Sequence, residues 1–141
     1  MSQENVHAGN AETVRRFLDC WTRQDLDGVL ACADPRMDFD WSRSRSPQQG
    51  SYRGHDGLVQ FWADQEDAWE QFSIEVVETI PIDRDRLVAV TRVHARGRGS
   101  GIDLEAGGAM LWSVRDGLIQ SGKLFQDKDE ALEAAGVAEG P

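Results

Sequence analysis

The chain has 141 residues, 40% of them apolar, and carries 15 Lys and Arg against 25 Asp and Glu, a formal net charge of −10. That length suits one domain and is short for two, and the acidic balance disfavours nucleic acid and anionic lipid as partners. No apolar run approaches the roughly 18 residues a membrane-spanning helix takes, and residues 1 to 10 lack a signal-peptide hydrophobic stretch, so a cytoplasmic protein is expected.

Residues 1 to 9 read as a flexible start. A helix is expected from near Ala11, because Val14, Phe17, Leu18 and Trp21 fall at the spacing of one buried helical stripe. A short second helix follows with Leu26, Val29 and Leu30 inward, and Asp34-Pro35 stops it, since the residue before proline avoids helical geometry. Cys20 and Cys32 both fall in these helices and read as buried free thiols. From Arg36 to Trp41 the chain alternates, with Met37, Phe39 and Trp41 on one face and Asp38 and Asp40 on the other. Residues 43 to 54 have no period and read as a loop on a rim. A third helix is expected from His55 or Asp56 to about Glu70, with Leu58, Val59, Phe61, Trp62 and Trp69 on a broad apolar side.

Four strands follow. Phe72 to Ile80 is rich in branched residues and ends at Pro81. Arg86 to Ala95, Ile102 to Val114 and Leu118 to Phe125 are joined by short connections, the last an Asp116-Gly117 turn, so antiparallel neighbours are expected. Gly107 and Gly108 suggest a bulge that bends the sheet. Asp127 and Glu130 have capping-box spacing before a short terminal helix, and Gly136 sits where a C-cap glycine belongs. Helices first and antiparallel strands last make an α+β class. One domain is expected over residues 10 to 136, with a tail at 137 to 141.

Several of these segments together resemble the NTF2-like superfamily and its SnoaL-like branch. They are Phe17-Leu18 with Trp21, then Gln24 to Asp27 and Ala33-Asp34-Pro35, then Tyr52-Arg53-Gly54-His55-Asp56-Gly57-Leu58, Val114 to Ile119, and Glu130 to Gly136. The resemblance implies a cone, a curved antiparallel sheet packed against N-terminal helices, with a pocket in its mouth. It also implies a homodimer through the convex face of the sheet. Members include ketosteroid isomerases, polyketide cyclases and binding domains without catalysis, so fold does not settle activity.

By position, Asp40 matches the aspartate base of ketosteroid isomerases, which would work if apolar neighbours such as Trp41 and Trp112 raised its pKa. The tyrosine of their oxyanion site falls at Phe17 and the sheet aspartic acid at about Met110. Neither side chain donates a hydrogen bond, which argues against the standard isomerase route. Limonene-epoxide hydrolases place an Arg-x-Asp pair on one strand. Arg92-x-His94 is the nearest feature, one face of a strand on which His94 would serve as base and Arg92 would orient a carboxylate or enolate. The expected catalytic set is therefore Asp40, His94 and Arg92. The expected lining is Phe17, Trp21, Trp41, Trp62, Met110, Trp112 and Phe125, since aromatic clefts suit flat hydrophobic ligands. Each also has a plain reading, as edge strand, solvated pair or core filler. The expectation is a small hydrophobic or aromatic ligand, with cofactor-free acid-base chemistry of isomerase or cyclase type. The alternative is a non-catalytic binding or protein-interaction module. Neither metal nor cofactor is expected, as no ligand spacing is present.

Overall fold

The structure, a computed structural model, describes residues 3–43 and 50–136; positions 44–49 of the expected loop and the tail at 137–141 lie outside it. In chain order it contains α1 (Gln3–Thr22), α2 (Leu26–Ala31), β1 (Ala33–Asp40), β2 (Ser51–Arg53), α3 (Gly54–Ala68), β3 (Trp69–Pro81), β4 (Arg86–Gly97), β5 (Asp103–Arg115), β6 (Leu118–Phe125) and α4 (Lys128–Ala134). The strands form one curved sheet in the order β2-β1-β6-β5-β4-β3, so the α+β cone is the observed architecture.

Asp34-Pro35 is not the stop of the second helix: α2 ends at Ala31, and both residues lie within β1. The other helices follow their patterns with two corrections. The stripe Val14, Phe17, Leu18 and Trp21 of α1 is buried, but the helix begins well before Ala11. Its early turns have tertiary partners that periodicity does not show. Asn10 Nδ2 donates to the Arg84 carbonyl at 2.9 Å, and His7 Nε2 lies 3.4 Å from Thr79 Oγ1. In α2, Asp25 accepts a cap bond from Gly28 N at 3.0 Å. A Cβ on Gly28 would stand 2.7 Å from Cys20 Sγ, so the close approach of α2 to α1 requires glycine there. The second correction is at α3, which stops at Ala68; Trp69 is extended and opens β3. The β4–β5 loop seals that end, with Arg98 Nε donating to the Glu66 carbonyl at 2.8 Å.

The β5–β6 turn has Asp116 at φ 54° and Gly117 at φ 77°, the pair of left-handed residues that a tight hairpin demands. Two pairings have no local signal: β1 lies parallel to β6, with Phe39 beside Gly122, and Ser51–Arg53 forms a strand against β1 where a loop is expected. Register shifts fall between Ala33 and Asp38, between Trp69 and Gln71, between Val76 and Glu78, and between Ser113 and Val114. Gly107 and Gly108 are not a bulge: they pair in unbroken register with Arg92 and Thr91.

Alternation then fixes the two faces. Leu87, Ala89, Thr91, Val93 and Ala95 of β4, with Leu104, Ala106, Gly108, Met110 and Trp112 opposite them on β5, share the inner face toward α1 and α3. Val88, Arg92, His94, Glu105 and Ala109 take the outer face, where α4 covers a smaller cluster of Val88, Ala109, Phe125 and Ala131.

Candidate ligand-binding site

The inner face differs along its length. At the deep end, Phe17, Trp21, Phe39, Phe61 and Trp112 pack with ring centroids 5.0–6.2 Å apart. Between Leu18, Trp21, Phe39, Phe61 and Met110 only about 10 Å³ stays empty. Toward the mouth the β4–β5 side chains shrink to Ala95, Ala106 and Gly108, and a cavity of about 540 Å³ opens. Trp41, Trp69, Phe72, Ile74, Val93, Leu104 and Leu124 wall it, Thr91 adds a hydroxyl, and Phe125 to Asp127 form one rim.

Of the expected lining residues, Trp41 and Phe125 border this cavity. Phe17, Trp21, Met110 and Trp112 do not: all four are buried in the filled end. Trp62 packs on Trp21 at 5.2 Å and donates to Glu66 Oε1 at 2.8 Å. The residues that replace them, notably Trp69, Phe72, Thr91, Leu104 and Leu124, come from β3 to β6. A signal for one pair did exist. Counting outward from Gly99-Ser100 at the centre of the β4–β5 loop pairs Thr91 with Gly108.

The expected catalytic set is not brought together in the cavity. Arg92 and His94 do share a face, but it is the outer one. Arg92 Nη1 lies 2.8 Å from Glu105 Oε1 and His94 Nδ1 3.8 Å from Glu105 Oε2, and their side chains are 56% and 50% exposed. Asp40 pairs in register with Lys123, so it too faces away from Phe39 and the core. Partial burial pushes its carboxyl up, but hydrogen bonds from Ser42 and the Lys123 ammonium 3.6 Å away outweigh this and leave it below the usual carboxylate range. The raised pKa a general base would want is absent. Strand parity is the cause: Leu87, Val88 and Ala89 are all buried, because α4 covers the outer face, so alternation alone could not say which face is inner. The outer face also holds an open depression of about 620 Å³ around His94, Ser73, Asp103 and Glu105. It is larger, but its acidic groups are tied to Arg92 and Arg96, and an open polar surface encloses little of a ligand.

The indole N–H groups separate the tryptophans. Trp21 donates to Gln65 Oε1 at 2.8 Å and Trp62 to Glu66. Trp41, Trp69 and Trp112 have buried N–H groups with no partner among the described residues, each a cost of about 1–3 kcal/mol. Trp41 and Trp69 wall the cavity, yet their N–H groups are themselves covered. Thr91 is only 2% exposed, its hydroxyl makes no hydrogen bond among the described residues, and it is not covered as those N–H groups are.

The sequence matches the SnoaL-like domain over residues 14–121. No curated protein sequence matches it. Among solved structures, TerC co-crystallised with polyporic acid is 18% identical, over 91% of this chain and 98% of that one, with a TM-score of 0.74. An NTF2-like protein of unknown function from Burkholderia pseudomallei K96243 is 21% identical, over 89% and 95%, at 0.74. A Mycobacterium tuberculosis protein in complex with estradiol-17beta-hemisuccinate is 19% identical, over 86% and 95%, at 0.71. At these identities the likeness is one of fold.

Proposed function

The chain belongs to the SnoaL-like family of NTF2-like proteins, and from that premise we propose that it binds a small, flat, largely apolar molecule in the cavity at the mouth of the cone. The cavity itself carries the reading. Its volume of about 540 Å³ lies inside the range of roughly 300–1,000 Å³ usual for small-molecule sites, and its walls are aromatic and aliphatic with few polar groups. The ligands of two fold neighbours, polyporic acid and a steroid hemisuccinate, are of the same general kind.

Binding is favoured over acid-base catalysis by what lines the space. Asp127 is the titratable residue among the described lining, and its carboxylate caps α4, accepting from Glu130 N at 2.9 Å. Asp40 is on the other face beside Lys123. For the outer face we propose a second copy as partner, because β4 presents Arg92 and Arg96 in one row beside Asp103 and Glu105 of β5 in another, rows of opposite charge that a twofold-related copy would match; sedimentation velocity of wild type against Arg92→Glu measures it.

The test of the cavity is calorimetric titration with a steroid and a hydroxylated quinone, on wild type and on Ala106→Trp, which puts an indole into the space. At least tenfold weaker binding in the variant is expected. Unchanged affinity would place the ligand elsewhere.

A further inference from the structure

The cavity floor has one feature that general apolar binding leaves unused. Thr91 on β4 and Gly108 on β5 are directly paired across the strands, and both line the cavity. A Cβ built on Gly108 would stand 3.9 Å from Thr91 Oγ1, 3.6 Å from Leu124 Cδ1 and 3.4 Å from the Phe125 carbonyl. Those are ordinary contacts, so glycine is not forced here by crowding, and its φ does not lie in the left-handed region. What the missing side chain leaves is a notch with a hydroxyl on its wall. That hydroxyl belongs to a residue almost wholly buried and has no partner among the described residues. A buried hydroxyl ordinarily finds one. The indole N–H groups of Trp41 and Trp69 do not compete for the role, being covered where they stand.

We infer that the Thr91 hydroxyl, in the notch opened by Gly108, is the polar contact that orients the bound molecule, so that the site selects flat apolar compounds bearing a hydroxyl or carbonyl oxygen at one end. A hydroxyl both donates and accepts, so either oxygen chemistry suits it. The notch lies between the β4 and β5 backbones, which sets the polar end of the ligand against the sheet and the apolar body against Trp41, Trp69 and Phe72. This rests on the cavity being the binding site.

The experiment uses a matched pair of probes, 2-naphthol and 2-methylnaphthalene, titrated calorimetrically into the full chain. Wild type should bind 2-naphthol about fivefold more tightly, the scale of one neutral hydrogen bond. Thr91→Val, which keeps the shape and β-branching, should abolish that preference while leaving 2-methylnaphthalene within about twofold. Thr91→Ser should restore it, and Gly108→Val should weaken both probes by filling the notch. Circular dichroism melting confirms that each variant is folded. An equal preference in wild type and Thr91→Val, or none in wild type, overturns the inference while the cavity reading stands. Absence of binding by both probes to folded wild type overturns the cavity reading and the inference with it.

Discussion

The deep end and the mouth of the cone are built on the same inner face from similar residues, yet one is solid and the other hollow. At the deep end, aromatic rings from α1, α3, β1 and β5 meet, and each fills the space the next leaves. At the mouth the facing strand positions are Ala95, Ala106 and Gly108, and Trp41 and Trp69 border the space these small residues leave. Dense packing there would have added dispersion and hydrophobic stability. The hollow part instead leaves space, with the Thr91 hydroxyl on its wall, so close packing is concentrated at the deep end.

Substitutions separate the two ends. The largest effect is expected from Phe39→Ala at the deep end, a loss of about 3–5 kcal/mol by urea denaturation, whereas Leu104→Ala at the mouth, where the side chain is exposed, should stay within about 1 kcal/mol and show itself in ligand affinity. Gly122→Ala comes next. Its Cβ would stand 2.6 Å from Trp112 Cζ3, and overpacking of about 1–3 kcal/mol is expected; Gly108→Ala at the mouth, with room for the methyl, should be nearly neutral.

The tryptophans give a finer contrast. Trp21→Phe strands Gln65 Oε1 in the core and should lower stability by about 1–3 kcal/mol beyond the lost ring area. Trp41→Phe removes a donor that has no partner, so its packing loss is offset and the net change should be near zero. Matched denaturation curves measure both.

The smallest effects belong to the outer face. Arg92→Ala and His94→Ala should change stability by less than about 0.5 kcal/mol and leave ligand binding unaltered, since exposed pairs contribute little. A pH titration sharpens the same point. The Asp40 carboxyl is held low in the fold, so its contribution is present above the unfolded value near pH 4 and fades as pH falls through the lower folded value. Asp40→Asn should therefore lower stability slightly at neutrality, where the carboxylate's contribution is fully present, and flatten the fall in stability below about pH 4. A ligand affinity that followed Asp40 or His94 would mean that the outer face takes part in binding.

Much of the fold was written locally. The stripe on α1, the Asp116-Gly117 turn and the Asp127 cap each depend on neighbours within a few residues, and each appears where its residues stand; the expected stop at Asp34-Pro35 does not, since α2 already ends at Ala31 and those residues lie in β1. The alternation of Met37, Phe39 and Trp41 against Asp38 and Asp40 gave the two faces of β1 correctly, and family membership followed from the order of such pieces.

The site was decided by contacts between distant parts of the chain. The parallel pairing of β1 with β6 sets Asp40 beside Lys123 rather than in the pocket. Cover by α4 makes both faces of β4 apolar near Val88 and hides the parity that sends Arg92 and His94 outward. Whether a ring fills space or borders it depends on what lies across from it, which is why Phe17 and Trp112 became core, Trp69 became a wall, and Trp41 packs on Phe61 while bordering the cavity. Sequence specifies hydrophobicity and period; the hollow is set by the size of side chains meeting across strands, and tertiary packing alone brings those together.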